Sequence, residues 1–113
     1  MSVQCVSNAS DFTKLEIYAC ESNEFFYEIA KKFIKSINKS NIVKVINKHS
    51  NNLNRAIDFK QSYVDFIVTE IFDDGLLGEN CLDSFYHAIV VNRLVNPETT
   101  VKTIPKSAQI YFW

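Results

Sequence analysis

The chain has only two glycines in 113 residues, Gly75 and Gly78, and they stand three positions apart. A nucleotide-binding α/β domain ordinarily opens with a strand and a glycine-rich turn into a helix. With both glycines this late, that turn is missing. Also absent are a Walker lysine motif, a Gly-x-Ser-x-Gly elbow and a His-Glu-x-x-His pair, so nucleophilic and metal-dependent catalysis find no support. No apolar run approaches the ~20 residues of a membrane helix. The start, Met1-Ser2-Val3-Gln4-Cys5-Val6, lacks the basic segment and long apolar core of a signal peptide. Cys5, Cys20 and Cys81 are odd in number and lack metal-ligand spacing. They point to reduced thiols, no metal, and a cytoplasmic or nuclear setting. Lysine and arginine are missing from positions 61 to 92, while Asp65, Glu70, Asp73, Asp74, Glu79 and Asp83 all fall there. A block of charge −6 in a chain of net charge −1 repels nucleic acid and favours a cationic ligand.

With 47% hydrophobic and 22% charged residues, the composition is that of a folded globular chain, long enough for one modest core. Met1 to Asn8 reads as the tail of a helix, followed by a turn at Asn8-Ala9-Ser10-Asp11. Leu15 to Ala19 reads as a strand ending at Cys20-Glu21. Ser22 or Asn23 can cap a helix with Glu24 in its first turn and Lys31, Lys32 and Lys35 late, as the macrodipole favours. Its residues Phe26, Ile29, Ala30, Phe33 and Ile37 form a stripe expected to face the core. Ile42 to Ile46 is a second strand, followed by a polar loop from Asn47 to Asn54. Tyr63 to Val68 is nearly all apolar, as expected for a strand covered on both faces. Helical spacing returns from about Cys81 to Leu94 and is stopped by Asn96-Pro97. Val101 to Ile104 and Ser107 to Trp113 read as short β segments.

Strands alternating with amphipathic helices predict an α/β fold with a parallel sheet, whose ligands lie beyond the carboxyl ends of the strands. Three polar clusters sit at such ends: Glu21, the His49-Ser50-Asn51 loop, and the stretch from Glu70 to Glu79. Glu21 suits either a helix N-terminus or a pair of ribose hydroxyls. The His49 loop can read an adenine edge through backbone groups, whereas His49 and His87 themselves read as a loop and a helix residue. Glu70 and Glu79, at the two ends of a short loop, suit arginine's planar fork if they converge.

These residues resemble those of the protein arginine methyltransferase family, in the divergent branch of its seventh and ninth members. Ile17-Tyr18-Ala19-Cys20-Glu21 is similar to the family's second strand and ribose-binding acid. Lys44-Val45-Ile46-Asn47-Lys48-His49-Ser50 is similar to the third strand and adenine loop. Thr69-Glu70-Ile71-Phe72-Asp73-Asp74-Gly75-Leu76-Leu77-Gly78-Glu79 resembles the double-glutamate loop, with both acids at the family's separation. Met1 to Val6 resembles the helix after the glycine-rich loop, and Ile104 to Ala108 the passage into the β-barrel.

The resemblance implies a partial Rossmann-like class I methyltransferase sheet, lacking its first strand and glycine-rich loop and truncated where the β-barrel begins. Residues 1–104 would be the methyltransferase part and 105–113 the start of the barrel. It implies S-adenosylmethionine as cofactor, Glu70 and Glu79 as catalytic residues, and Glu21, Ser50 and Asn51 as cofactor-binding residues. Asn51 stands where the family usually has an adenine-contacting glutamate. The implied partners are basic, arginine-containing proteins, with no direct nucleic-acid or membrane contact, and a parent enzyme that is a dimer or a tandem-module pseudo-dimer. For the isolated 113 residues, weak or no cofactor binding is expected. The competing expectations are a non-catalytic remnant that binds partners and a small-molecule methyltransferase.

Overall fold

A computed structural model describes residues 15–73, 75, 76, 78–109 and 111, and the backbone of 2–7. Five strands form one sheet: β1 (Ser2–Ser7), β2 (Leu15–Cys20), β3 (Val43–Ile46), β4 (Phe66–Val68) and β5 (Lys102–Ile104), in the order β3-β2-β1-β4-β5. β2 runs parallel to β3, and β4 runs parallel to β5. β1 is antiparallel to both β2 and β4, so the other four strands share one direction. The sheet is therefore mixed rather than parallel: the expected parallel pairing is present in β2–β3 and β4–β5, but an unexpected antiparallel strand joins the two pairs. The first residues are not a helix tail. The alternate apolar positions Val3 and Cys5 fit a strand as readily as a helix end, and two neighbouring strands supply the ladder that settles it.

Helix α1 (Glu24–Ser36) follows β2 and is capped by Asn23, whose Oδ1 accepts the N–H groups of Phe25 (2.9 Å) and Phe26 (3.2 Å). It lies along β3 on the half-buried side formed by Tyr27, Ala30 and Ile34. Of the stripe expected to face the core, only Ala30 turns toward the sheet. Phe26, Ile29, Phe33 and Ile37 are 56%, 49%, 59% and 44% exposed, and Phe25 beside them is 70% exposed. The helix is amphipathic, but at about 3.6 residues per turn the sheet meets it about a quarter of a turn away from its most apolar line.

A four-residue helix, α2 (Arg55–Asp58), was not foreseen; Asn54 caps it through the N–H groups of Ala56 and Ile57. β4 is shorter than the predicted strand. Val64 instead forms a lone parallel bridge with Val95; Val64 and Ile67 are buried, and Asp65, Phe66 and Val68 are half-buried. Helix α3 (Cys81–Tyr86) widens into a π turn, His87–Val91, closed by Asn92 N–H on the His87 carbonyl at 2.7 Å. Arg93 with φ of 47° ends it short of Asn96-Pro97. The core lies on this side: Tyr18 and Ile67 of the sheet meet Leu53, Phe59, Ala88, Leu94 and Val95, and the Tyr18 and Phe59 rings are 4.8 Å apart. Residues 107–109 and 111 form no strand, while Ile110, Phe112 and Trp113 lie outside the described residues. So do Met1, the turn at 8–11, Asp74 and Leu77.

Candidate functional site

The carboxyl ends of β2, β3 and β4 open on the same edge of the sheet, because these strands share a direction. A cavity of about 90 Å³ lies there, lined by Glu21, Lys48, His49, Ser50 and Ile71 among others. Residues from three separate loops thus meet at one point, and two of the predicted cofactor residues, Glu21 and Ser50, are among them. The half-buried Glu21 carboxylate on the cavity wall can accept hydrogen bonds from paired hydroxyls such as those of a ribose. β1 starts beside this edge, with Ser2 opposite Cys20.

Glu21 extends the β2–β3 ladder through its N–H on the Ile46 carbonyl at 3.0 Å. Its Oε1 accepts the Asn23 N–H at 2.9 Å, which fixes the half-buried carboxylate against the entry to α1. The loop after β3 is anchored twice. Lys48 Nζ contacts Asp58 Oδ1 and Oδ2 at 2.6 and 2.8 Å, and Asp58 Oδ2 also accepts the Asn54 N–H at 2.7 Å. Ser50 Oγ lies 3.2 Å from Ser84 Oγ on α3. Asn51 does not line the cavity: its Nδ2 donates to Asp83 Oδ2 at 2.6 Å, and its carbonyl accepts from Asn92 Nδ2 at 3.1 Å. Its side chain ties the loop to α3, leaving Ser50 and His49 at the opening.

Glu70 and Glu79 are both exposed, and among the described residues neither joins an ion pair. Neither lines the cavity, although Ile71, next to Glu70, does. The loop between them is closed from within: Asp73 Oδ1 accepts the Gly78 N–H at 3.0 Å, and the Asp73 carbonyl accepts from Leu76 at 2.9 Å. A Cβ at position 78 would meet the Asp73 carboxylate, which would have to move aside. Thr69, buried before the loop, donates its N–H to the Ile104 carbonyl at 3.0 Å and anchors the loop to β5.

Lys48, Asp58, Ser84 and Asp73 were not singled out from the sequence as supports. A contact ten or thirty-four positions apart leaves no periodic trace, whereas Asp73 and Gly78 lay within the acidic stretch already marked. Among the described residues no group of three His, Cys, Asp or Glu side chains could hold a metal. Neither Cys20 nor Cys81 is in a disulfide, and both are buried. No helix among the described residues is long and apolar enough to cross a membrane.

No family model matches the chain. It is similar to an arginine N(omega)-methyltransferase of Streptomyces achromogenes, with 34% identity over 84% of this chain and 25% of that protein. It is 32% identical to protein arginine N-methyltransferase 7 of Danio rerio over 98% of this chain, spanning 15% of that protein. With protein arginine N-methyltransferase 9 of Xenopus laevis it shares 30% identity over 84% of its length, or 12% of that protein. The chain therefore spans a quarter or less of the relatives it matches.

Proposed function

Since this chain belongs to the protein arginine N-methyltransferase family, we propose that it carries the guanidinium clamp and part of the cofactor cradle of an S-adenosylmethionine-dependent arginine methyltransferase. The observation that carries the reading is the meeting of Glu21, Ser50 and Ile71 at one sheet edge, with the Glu70–Glu79 loop springing from the same strand end. In this reading residues 1–104 belong to a class I methyltransferase sheet and 105–113 lead toward a β-barrel.

S-adenosylmethionine, when bound, supplies an activated methyl on a sulfonium. Glu21 would accept hydrogen bonds from its ribose hydroxyls, and Ser50 would stand at the adenine side. Glu70 and Glu79 would accept N–H bonds from the guanidinium. A guanidinium stays protonated with its lone pairs delocalised, which makes it a poor nucleophile. Two carboxylates on one side draw positive charge toward themselves and leave a terminal nitrogen better able to attack. Orientation and electrostatic stabilisation carry most of the effect. Basic, arginine-containing proteins are the substrates that the −6 block from Gln61 to Asn92 favours.

An arginine-rich peptide titrated into the labelled chain should shift the amides around Glu70 and Glu79. A lysine counterpart, lacking the fork, should shift them several-fold less. In a full-length enzyme carrying this segment, Glu70→Gln or Glu79→Gln should abolish methyl transfer while leaving cofactor binding largely intact, and undiminished transfer in either variant refutes the clamp. One observation favours a second reading, a non-catalytic interaction module: the apolar stripe of α1 stands in solvent.

A further inference from the structure

We infer that Asp83 is a positioning residue, which through Asn51 holds the Ser50–Asn52 turn and the Glu79 end of the double-glutamate loop as one unit. What the two loops bind rests on the methyltransferase reading of the site; the link between them consists of the chain's own contacts. A single turn such as Ser50–Asn52 is too short to fix its own direction, and its side-chain cap is a long bond of 3.3 Å from the Asn51 N–H to His49 Nδ1. Three side-chain contacts from outside direct it, all from one stretch of chain. Ser50 Oγ meets Ser84 Oγ, Asn51 Nδ2 donates to Asp83 Oδ2, and Asn92 Nδ2 donates to the Asn51 carbonyl.

That stretch begins where the double-glutamate loop ends. Asn80, at φ of 60°, turns the chain from Glu79 into α3, and its carbonyl accepts the Ser84 N–H at 3.0 Å. The buried Cys81 thiol reaches back to the Leu76 carbonyl at 3.1 Å, so the first turn of α3 also grips the loop. Just beyond, Asp83 and Ser84 grip the turn after β3. Asn92 lies nine positions past Asp83, which at about 3.6 residues per turn is the opposite side of a regular helix. The π turn His87–Val91 between them widens the coil and brings both round to the same partner, Asn51. Of the three contacts, the Asn51–Asp83 bond alone carries a charge, and at 2.6 Å it is the shortest. The other Asp83 oxygen lies 3.8 Å from His87 Nε2, beyond hydrogen-bond reach, so Asn51 is the partner that holds this carboxylate. A carboxylate at position 51 would meet that charge head-on.

Amide exchange of the labelled chain, with no ligand added, tests the link. Asn51→Asp sets a carboxylate against Asp83 and should speed exchange several-fold both at Ser50–Asn52 and from Glu79 to Ser84, far away in sequence. Adding Asp83→Asn restores the bond with donor and acceptor exchanged, and should return both groups of amides to the wild-type rates. Asn51→Ala, which removes the bond without adding a charge, should speed the same amides less. In a full-length enzyme carrying this segment, Asn51→Asp should raise KM for cofactor and for arginine peptide together, several-fold each, and the double variant should restore both. Unmoved rates from Glu79 to Ser84, a double variant no better than Asn51→Asp alone, or a rise in the cofactor KM alone would overturn the proposal. Because the exchange measurement contains no ligand, it can fail while the arginine-peptide titration succeeds, and the reverse, which separates this link from the clamp itself.

Discussion

Of the two long helical stretches, α1 has the cleaner amphipathic pattern and buries no side chain, whereas the stretch from Cys81 breaks into a π turn and carries the core. Cys81, Ser84 and Ala88 are buried within it, and Leu94 and Val95 follow directly. The difference lies in what each helix has opposite it. α3 and its π turn face Tyr18, Ile67, Leu53 and Phe59 from three other segments. Among the described residues, α1 packs chiefly on β3. Periodicity reports which side of a helix is apolar; the rest of the fold decides whether that side is used.

The largest expected effects lie on the core side. Phe59→Ala or Leu94→Ala, at positions 1% and 0% exposed, should cost about 3–5 kcal/mol in urea denaturation. Phe33→Ser, at a position 59% exposed, should stay within about 0.5 kcal/mol. Equal costs for the two would erase the contrast. Next comes Lys48→Met, which strips the partner from an Asp58 carboxylate that is only 8% exposed. A loss of about 1–3 kcal/mol is expected, along with faster amide exchange from His49 to Asn52 and none in α1. Gly78→Ala should open the loop between Glu70 and Glu79 by driving the Asp73 carboxylate aside, seen as faster exchange of its amides. Asp73→Asn should not, because its side-chain oxygen can still accept the Gly78 N–H.

The smallest effect is electrostatic. Tyr18 Oη donates to Glu16 Oε2 at 2.7 Å, and Lys44 Nζ reaches Glu16 Oε2 at 3.1 Å and Tyr18 Oη at 3.2 Å. The Tyr18 hydroxyl, then Lys44, holds the Glu16 carboxyl below its usual 4.5. Burial, and then the bond to Glu16, raises Tyr18 above 10.0. Burial opposes the charge on Lys44, but its bonds to Glu16 and Tyr18 outweigh that and raise it above 10.5. The Glu16 contribution is present above its usual value and lost as pH falls through the lowered one. Those of Tyr18 and Lys44 are present below their usual values and lost as pH rises through the raised ones. With both members of the ion pair about a third exposed, the cluster contributes under ~1 kcal/mol. Glu16→Gln should flatten the acid limb of the stability–pH curve by that amount and leave the slope near neutrality unchanged.

Much of this fold was legible because its signals are local. The cap at Asn23, the β-branched run of β3 and the placement of Glu21 and Glu70 after strands all follow from neighbouring residues. What escaped was set by partners distant in sequence. Ser2–Ser7 became a strand because β2 and β4 flank it on both sides. α1 turned toward Tyr27, Ala30 and Ile34 because β3 lies there. Asn51 read as a cofactor residue by its place in the loop, yet Asp83, thirty-two positions away, holds its side chain.

The central claim is that Glu21 and Ser50 share one ligand edge with the root of the double-glutamate loop. Titrating S-adenosylhomocysteine into the labelled chain tests it most directly. The expected result is weak, saturable shifts at Glu21, Ser50 and Ile71, absent in Glu21→Ala, with α1 and the Glu16–Lys44 cluster silent. Shifts confined to Phe25–Ile37, or shifts at Ser50 and Ile71 that persist unchanged in Glu21→Ala, would contradict it.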